Sequence, residues 1–413
     1  MGKRMAALAL CVCMALPLLG CGRVQAQCLT DGVAARAINT QTDLTDGSAA
    51  VMDFAAALLR QTAKGEEGVL LSPVSVLYAL GMTANGASGT TLSQLEKAMG
   101  MDRDTLNDYL YTYRMSLPEN TKKCRLSLAN SLWVRDIFRM DDSFLESCVS
   151  YYDAEAYRSA FDESLVTDLN RWVDDKTDGM IDKLLEEPPS PLAMLYLVNA
   201  VCFDAKWQEP YEKSDIQEGA DFTAADGSRQ TADLLWSRES IFLSDDNTTG
   251  FMKYYDGGRY AFVGLLPQEG VSLEGYVAGL TGGKLHNLLN SHQYGTVEAA
   301  IPRFTASSSL LLNDALEAMG VTDAFDVARA DLRAMGGAPN DQLHISTVVH
   351  KTYLSLDENG TRAAAVTSIV ADAAGADMPQ VHRVVLDRPF VYLIVDTHAN
   401  LPLFLGTVTT LNG

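Results

Sequence analysis

The sequence predicts one large domain in which helices and strands are mixed. From residue 49 to residue 413 no shift in composition marks a linker and no internal repeat occurs. Strand-like apolar runs, alternating or continuous, lie at 345–356, 390–395 and 403–408. An apolar helix pattern begins instead at Ser72, with a proline in its first turn. A chain of this length can bury a sizeable core without cross-links.

The first residues carry an export signal. Lys3 and Arg4 precede an apolar stretch that is too short for a comfortable membrane span. The following Leu18, Leu19, Gly20 and Cys21 resemble the lipobox of bacterial lipoproteins. That resemblance implies cleavage before Cys21 and attachment of lipid to its thiol. An ordinary secretory signal, cut near residues 25–27, is the alternative.

These patterns divide the chain into three parts. We expect residues 1–20 to be a signal peptide of the lipoprotein type and residues 49–413 to be the folded domain. Residues 21–48 are small and polar without apolar periodicity, which predicts a flexible tether. The protein is therefore expected to be exported and held on the outer face of the cell membrane as a lipoprotein, or to be extracellular.

Cysteine usage and charge narrow the class of partner. Of the seven cysteines, Cys28, Cys124, Cys148 and Cys202 remain beyond the signal and the lipobox, without CxxC spacing. Export permits disulfides, and we expect mostly free thiols, with one bridge left open. The formal net charge of −21 argues against nucleic-acid binding, which needs a basic surface.

Motifs of common enzyme classes are missing from the sequence. It contains no HExxH, no GxSxG and no GxxxxGK[ST] pattern. Its six histidines show no metal-ligand spacing, such as i, i+4 on one helix. We therefore predict no catalytic residue, no metal and no cofactor.

Two buried elements are expected in the centre of the domain. The helix that starts at Ser72 has almost no polar face, so we expect it to be buried. Residues 195–203 are continuously apolar, which indicates a strand that is buried on both faces. Asn199 interrupts this run, and a buried asparagine needs hydrogen-bond partners.

The most unusual stretch is 357–379, which is small and apolar yet lies between strands. Read as a strand, it has Thr361, Ala363 and Ala365 on one uncharged face and Arg362 and Ala364 on the other. The uncharged face could enter a sheet without burying an ion. The alternative is an alanine-rich helix capped by Thr361.

Several motifs identify a family resemblance. Residues 358–367 resemble the hinge of serpin reactive-centre loops, with Arg362 in place of the usual Glu. Residues 349–351, 388–390 and 403–406 resemble the family's flanking motifs, and the resemblance covers roughly residues 50–411. It implies an α+β fold with three β-sheets, about nine helices and an exposed loop.

The same resemblance assigns roles to individual residues. The hinge would comprise Glu358, Gly360, Thr361, Ala363, Ala364 and Ala365. Ser72 and Ser75 would belong to the shutter, the region that parts when a strand enters, together with Asn199 linked to His350; Trp207 would be the breach aromatic. Counting from the hinge places the reactive bond at Ala374–Gly375, with 372–373, 375–376 and 377–378 as open alternatives.

The implied function is irreversible inhibition of serine, and also cysteine, endopeptidases. A protease would cleave the loop and be held as an acyl-enzyme while the loop enters the main sheet. Small residues near the bond favour an elastase-like target. We expect a monomer that forms a covalent 1:1 complex with the protease. The alternative is a non-inhibitory serpin that acts as a binding or carrier protein.

Overall fold

Helices dominate the first part of the chain and strands the rest. The computed structural model describes residues 24–40, 42–65, 67–337, 343–361 and 381–411. Within these ranges there are nine α-helices: α1 Leu44–Thr62, α2 Pro73–Gly86, α3 Gly89–Met99, α4 Arg103–Ser116, α5 Asp142–Tyr152, α6 Glu163–Lys176, α7 Leu273–Ala278, α8 Gly282–Asn290 and α9 Asn313–Ala318.

The strands follow in the order β1 Gln27–Cys28, β2 Leu70–Leu71, β3 Cys124–Arg135, β4 Arg139–Met140, β5 Glu155–Ser159, β6 Leu195–Lys206, β7 Ile216–Thr223, β8 Arg229–Ser244, β9 Thr248–Tyr254, β10 Tyr260–Pro267, β11 Gln293–Pro302, β12 Phe304–Leu311, β13 Gly336–Gly337, β14 Thr347–Asp357, β15 Gly360–Thr361, β16 Val381–Val385, β17 Phe390–Asp396 and β18 Leu401–Val408.

The described strands form three sheets. The first sheet has seven strands in the order β1-β5-β3-β6-β15-β14-β12. The second runs β16-β11-β8-β9-β10-β17-β18-β2, with β7 paired to β8, and the third consists of β13 and β4. Sheets with mixed parallel and antiparallel pairing, and helices packed against them, make this an α+β fold, which confirms the predicted class.

Helix α2 occupies the centre of the molecule. It contacts β3 and β6 of the first sheet and β18 of the second, so apolar side chains are buried all around it. Of its residues only Asn85 is not buried. The predicted N-cap at Ser72 is confirmed, although the Ser72 side chain makes no capping hydrogen bond. The predicted buried strand at 195–203 is confirmed as part of β6.

The tether prediction for residues 21–48 is wrong for a large part of that range. Gln27 and Cys28 form β1 on the edge of the first sheet, and α1 begins at Leu44 with Asp43 as its N-cap. The small polar composition gave no sign of this pairing, because an edge strand of two residues needs no apolar periodicity.

The described cysteines carry no cross-link. None of Cys28, Cys124, Cys148 and Cys202 forms a disulfide, and burial raises the pKa of the Cys148 thiol to about 12. No helix within the described ranges is long and apolar enough to cross a bilayer. Cys21 lies outside the described residues.

Candidate functional site: the hinge and the seam of the first sheet

The candidate site lies where β14 ends and the chain turns back into its own sheet. Asp357 ends β14, and its Oδ1 accepts the backbone N–H groups of Asn359 at 2.7 Å and Gly360 at 3.2 Å. These bonds form a tight turn after which Gly360 and Thr361 become β15. Burial raises the pKa of the Asp357 carboxyl above its usual value.

The short strand β15 is already part of the sheet. Leu356 pairs with Thr361 on the β14 side, and Ala205 pairs with Thr361 on the β6 side, both antiparallel. Further down, β6 and β14 pair directly with each other in parallel, over Tyr196–Val201 and Thr347–Thr352. The first sheet therefore has a gap at one end, and the first two residues of the loop fill it.

Gly360 is required at the entrance to this gap. Its φ is +152°, in the region that favours glycine, and a Cβ there would overlap the carbonyl oxygen of Ala205. Thr361 follows it with only 1% exposure, and its Oγ1 lies 2.8 Å from the hydroxyl of Tyr255. Thr361, the first residue of the predicted uncharged face, thus turns inward.

Trp207 holds the turn before β15. Its indole N–H donates to the Asp357 carbonyl and its backbone N–H to the Asn359 carbonyl, each at 2.9 Å. The indole stacks on Tyr255, with 4.4 Å between ring centroids and 12° between planes. The predicted breach aromatic therefore contacts the hinge directly, through hydrogen bonds as well as packing.

The side chain of Glu358 is held by an ion pair and not by strand pairing. The guanidinium of Arg303 lies 2.8 Å from the Glu358 carboxylate and 2.9 Å from that of Asp233. The backbone N–H of Tyr211 donates to the Glu358 carbonyl at 2.9 Å. Neither Arg303 nor Tyr255 was predicted as a hinge contact, because both come from distant strands or turns whose pattern carries no trace of the pairing.

A second part of the site lies along the seam between β6 and β14. His350 is fully buried, and its Nε2 accepts the backbone N–H of Ser72 at 3.0 Å. The ring is therefore neutral, with its proton on Nδ1. Burial lowers the pKa of His350 to about 4.

The predicted link from Asn199 to His350 is wrong. The two residues are partners in the parallel register of β6 and β14, yet the Asn199 amide donates to Asn130 Oδ1 at 2.8 Å. Residues that are paired in register lie on the same face of the sheet, but here the Asn199 amide turns toward β3. Asn130 lies on β3, so the amide bridges to the far side of β6 instead of crossing the seam.

Several polar atoms at this seam are unsatisfied. Within the described residues Ser72 Oγ, Ser75 Oγ, Asn199 Oδ1 and His350 Nδ1 are buried without a hydrogen-bond partner. Each such atom costs roughly 1–3 kcal/mol relative to a satisfied one. These polar groups lie at the joint between β6, β14 and the start of α2.

Other predicted positions are not described. The hinge residues Ala363, Ala364 and Ala365 and the reactive bond Ala374–Gly375 lie outside the described residues, so their assignment stays a prediction. Among the described residues no three His, Cys, Asp or Glu side chains group in a way that could hold a metal ion.

At one end, the first sheet already contains the first two residues of the loop that follows β14. This arrangement defines a class of proteins that add their own loop to a sheet as a further strand. The sequence profile of the serpin family, described as serine protease inhibitor, matches residues 49–411. The chain belongs to the serpin family.

Individual relatives agree with this assignment. Neuroserpin of Gallus gallus is 28% identical over 365 residues, covering 84% of this chain and 87% of the relative. The crystal structure of the thermophilic serpin tengpin in the native state is 40% identical with a TM-score of 0.89, covering 94% of this chain and all of that one. For tengpin in the latent state the TM-score is 0.80 at 38% identity.

The comparison with latent tengpin covers 91% of this chain and 100% of that chain. By TM-score, the structure is more similar to the native form of tengpin (0.89) than to its latent form (0.80). Membership of the family supports protease inhibition, rather than catalysis, as the broad function.

Proposed function

We propose that the protein is a suicide-substrate inhibitor of serine endopeptidases, and of cysteine endopeptidases that also form an acyl-enzyme. The observation that carries this proposal is the position of Gly360 and Thr361, which pair with β14 and β6 at once. The gap in the sheet accepts loop backbone in the antiparallel direction. Further loop residues can follow by the same pairing once β6 and β14 separate.

The chemistry needs only the target's own catalytic groups. The protease nucleophile attacks the Ala374 carbonyl carbon, the bond to the Gly375 nitrogen breaks, and that nitrogen leaves as a protonated amine. The protease is then joined to the Ala374 carbonyl by an ester bond, or by a thioester bond if it is a cysteine protease. Water would normally hydrolyse this bond and release both proteins. Insertion of the loop carries the acyl-enzyme away from the loop's original position and distorts its oxyanion hole and catalytic residues, which slows hydrolysis.

The energy for this step would come from strand addition. Each inserted residue exchanges hydrogen bonds to water for a paired position in the middle of the first sheet. The native protein must therefore be kinetically trapped above its inserted form. The small hinge residues suit fast insertion, and in an inserted strand Arg362 would lie on the face opposite to that of Thr361.

Specificity is proposed to be elastase-like. Val370, Ala371, Ala373 and Ala374 present small side chains, which fit a shallow primary pocket and offer nothing to a trypsin-type aspartate. Incubation with an elastase should give an SDS-stable 1:1 complex. It should also release a C-terminal fragment whose mass corresponds to a chain that begins at Gly375. Trypsin should be inhibited at least tenfold more slowly.

The outcomes separate three cases. A fragment that starts elsewhere in 372–379 moves the reactive bond and leaves the mechanism intact. Fast inhibition of trypsin through Arg362 or Arg383 would contradict the specificity. If proteases cut the loop and no SDS-stable complex forms with any of them, inhibition fails and a non-inhibitory binding role takes its place.

We also propose that lipid on Cys21 anchors the protein to the outer face of a membrane. The support is the sequence Leu18-Leu19-Gly20-Cys21 behind a basic start and an apolar stretch. Cys21→Ser should move the full chain from the membrane fraction to the soluble exported fraction. A wild-type protein that is already soluble and starts near Gln27 would contradict the anchor.

A further inference from the structure

The N-terminal segment is bound along the edge of the folded domain. The backbone N–H groups of Gln25 and Ala26 donate to the two carboxylate oxygens of Asp168, at 2.8 and 2.7 Å. Asp168 belongs to α6 and is buried. Charge-assisted bonds of this kind are among the stronger hydrogen bonds in proteins.

The contacts continue beyond this clamp. Gln27 and Cys28 pair with β5, and the Leu29 N–H donates to the Ala156 carbonyl at 2.7 Å. Further along, the Arg36 N–H donates to Ser150 Oγ at 3.0 Å. The segment is therefore attached at several points from Gln25 onward, and its path is set by the first sheet.

The register of the sheet shows at which end this segment begins. Cys28 lies opposite Tyr157, Tyr157 opposite Trp133, and Trp133 opposite Tyr196 on β6. The hinge residue Thr361 lies opposite Ala205 on the same strand. Nine residues separate the two rows along β6, a distance of about 30 Å at the usual strand rise.

The N-terminal segment joins the first sheet at the row furthest from the hinge. Gln27 pairs with Arg158, whose row continues through Val134 to Leu195, one step further from Ala205 than Tyr196. The chain therefore enters the sheet at its row furthest from the hinge, and Gln25 and Ala26, just before this row, bond to Asp168 on α6. We call the row that contains Ala205 and Thr361 the hinge end of the sheet, and the row that contains Cys28 and Tyr196 the far end.

Cys21 cannot lie far from this point. It precedes Gln25 by four residues, which span at most about 14 Å when fully extended. The reach from the lipid to the Asp168 clamp is therefore about half the distance between the two ends of the sheet. The formal net charge of −21 also disfavours attraction of the body to an anionic bilayer.

We propose that the bound N-terminal segment orients the protein on the membrane, with the far end toward the bilayer and the hinge end directed outward. This inference rests on the proposed lipidation of Cys21. The protein would then be attached to the membrane by a short anchor on a rigid domain instead of a long flexible tether. The partner surface is a lipid bilayer, and the consequence is that the reactive loop faces proteases on the outer side.

The orientation can be measured on the processed full-length protein in lipid vesicles that contain a rhodamine lipid. A fluorophore is attached through an alkyne amino acid at Glu163, at the start of α6, or at Lys122, close to the residue that pairs with Ala205; both positions are exposed. Energy transfer to the lipid should be several-fold stronger from position 163 than from position 122.

Two variants test the cause. Asp168→Ala removes the clamp and should narrow the difference in energy transfer, whereas Asp175→Ala, an exposed acid on the same helix, should leave it unchanged. A twelve-residue Gly/Ser insertion after Gly22 should narrow the difference without touching the folded domain. It keeps the test valid if Asp168→Ala does not fold.

The results distinguish the inference from the proposal on which it rests. Equal transfer from both positions, in wild-type protein that binds vesicles, would overturn the orientation and leave the anchor standing. Wild-type protein that stays soluble after processing would overturn both. An unchanged difference in the Gly/Ser insertion variant would show that the segment does not set the orientation.

Discussion

At the scale of single residues, His350 connects protonation to the seam that must open. Its Nε2 accepts the Ser72 N–H, and a proton on that nitrogen would abolish the acceptor. The ring is fully buried at the joint between β6, β14 and the start of α2. Protonation is therefore expected only together with loosening of this joint.

This gives a prediction for stability against pH. In the unfolded chain His350 titrates near 6.5, whereas burial holds its folded pKa near 4. Between these values the unfolded state binds the extra proton, so folding stability falls as pH is lowered from 6.5 to 4 and this contribution levels off below. The loss is on the order of 3 kcal/mol.

Denaturant unfolding at several pH values checks this expectation. Carboxylates also titrate in that range, so the informative quantity is the difference between wild type and His350→Gln. The variant should lose the Ser72 bond at pH 7 and show a shallower decline toward pH 4. Parallel curves for the two proteins would refute the assignment of the proton to His350.

At this scale, a residue's environment could be predicted only where the local sequence pattern decides it. Thr361 could be placed on the inward face because strand alternation alone decides which side chains share a face. The contact of Thr361 with Tyr255 could not be predicted, since Tyr255 follows β9 in a turn far along the chain. The Asn199 amide was expected to cross to His350, and only the register revealed Asn130 as its partner.

At the scale of elements, β15 marks how far the loop has entered before any cleavage. Thr361 is already buried, so a charge at that position would disturb the native hinge as well as later insertion. A sharper test is offered by Ala365, four residues after Thr361. In a strand that continues β15, Ala365 would share the face of Thr361 and Ala364 would lie on the opposite face.

Ala365→Arg should convert the inhibitor into a substrate. Insertion would bury an unpaired cation, at a penalty of several kcal/mol. Each 1.4 kcal/mol on the insertion barrier slows it about tenfold, so hydrolysis of the acyl-enzyme should win. The number of inhibitor molecules consumed per protease inhibited should rise at least tenfold. Its matched control, Ala364→Arg, should remain close to wild type, and equal inhibition by both variants would contradict insertion.

Strands and helices with a strong period were predictable, while short or edge elements were not. The apolar run 390–395 was expected to be a strand and forms β17, Phe390–Asp396, because a continuous apolar run needs no partner to be recognised. Strand β1 was missed, because its two residues owe their conformation to β5 and to the Asp168 clamp. Such elements are fixed by tertiary contacts rather than by local preference.

At the scale of the whole molecule, the two ends of the first sheet have different tasks. The hinge end receives the loop, and the far end carries the N-terminal segment. If β15 continues in its present register, residue 361 + n pairs with residue 205 − n of β6, so Val370 would reach Tyr196 at the far end. The acyl-linked Ala374 follows four residues later.

A protease that is captured at the hinge end should therefore finish next to the membrane. We expect energy transfer from a fluorescently labelled elastase to a lipid acceptor to rise as the SDS-stable complex accumulates on vesicles, because the enzyme moves by about 30 Å along the sheet. Ala365→Arg, which should be cleaved without insertion, gives the baseline for encounter alone. The twelve-residue insertion after Gly22 should weaken the rise, since the far end is then free to leave the bilayer. Accumulation of complex with constant or falling transfer would show that the enzyme is not carried toward the anchored end.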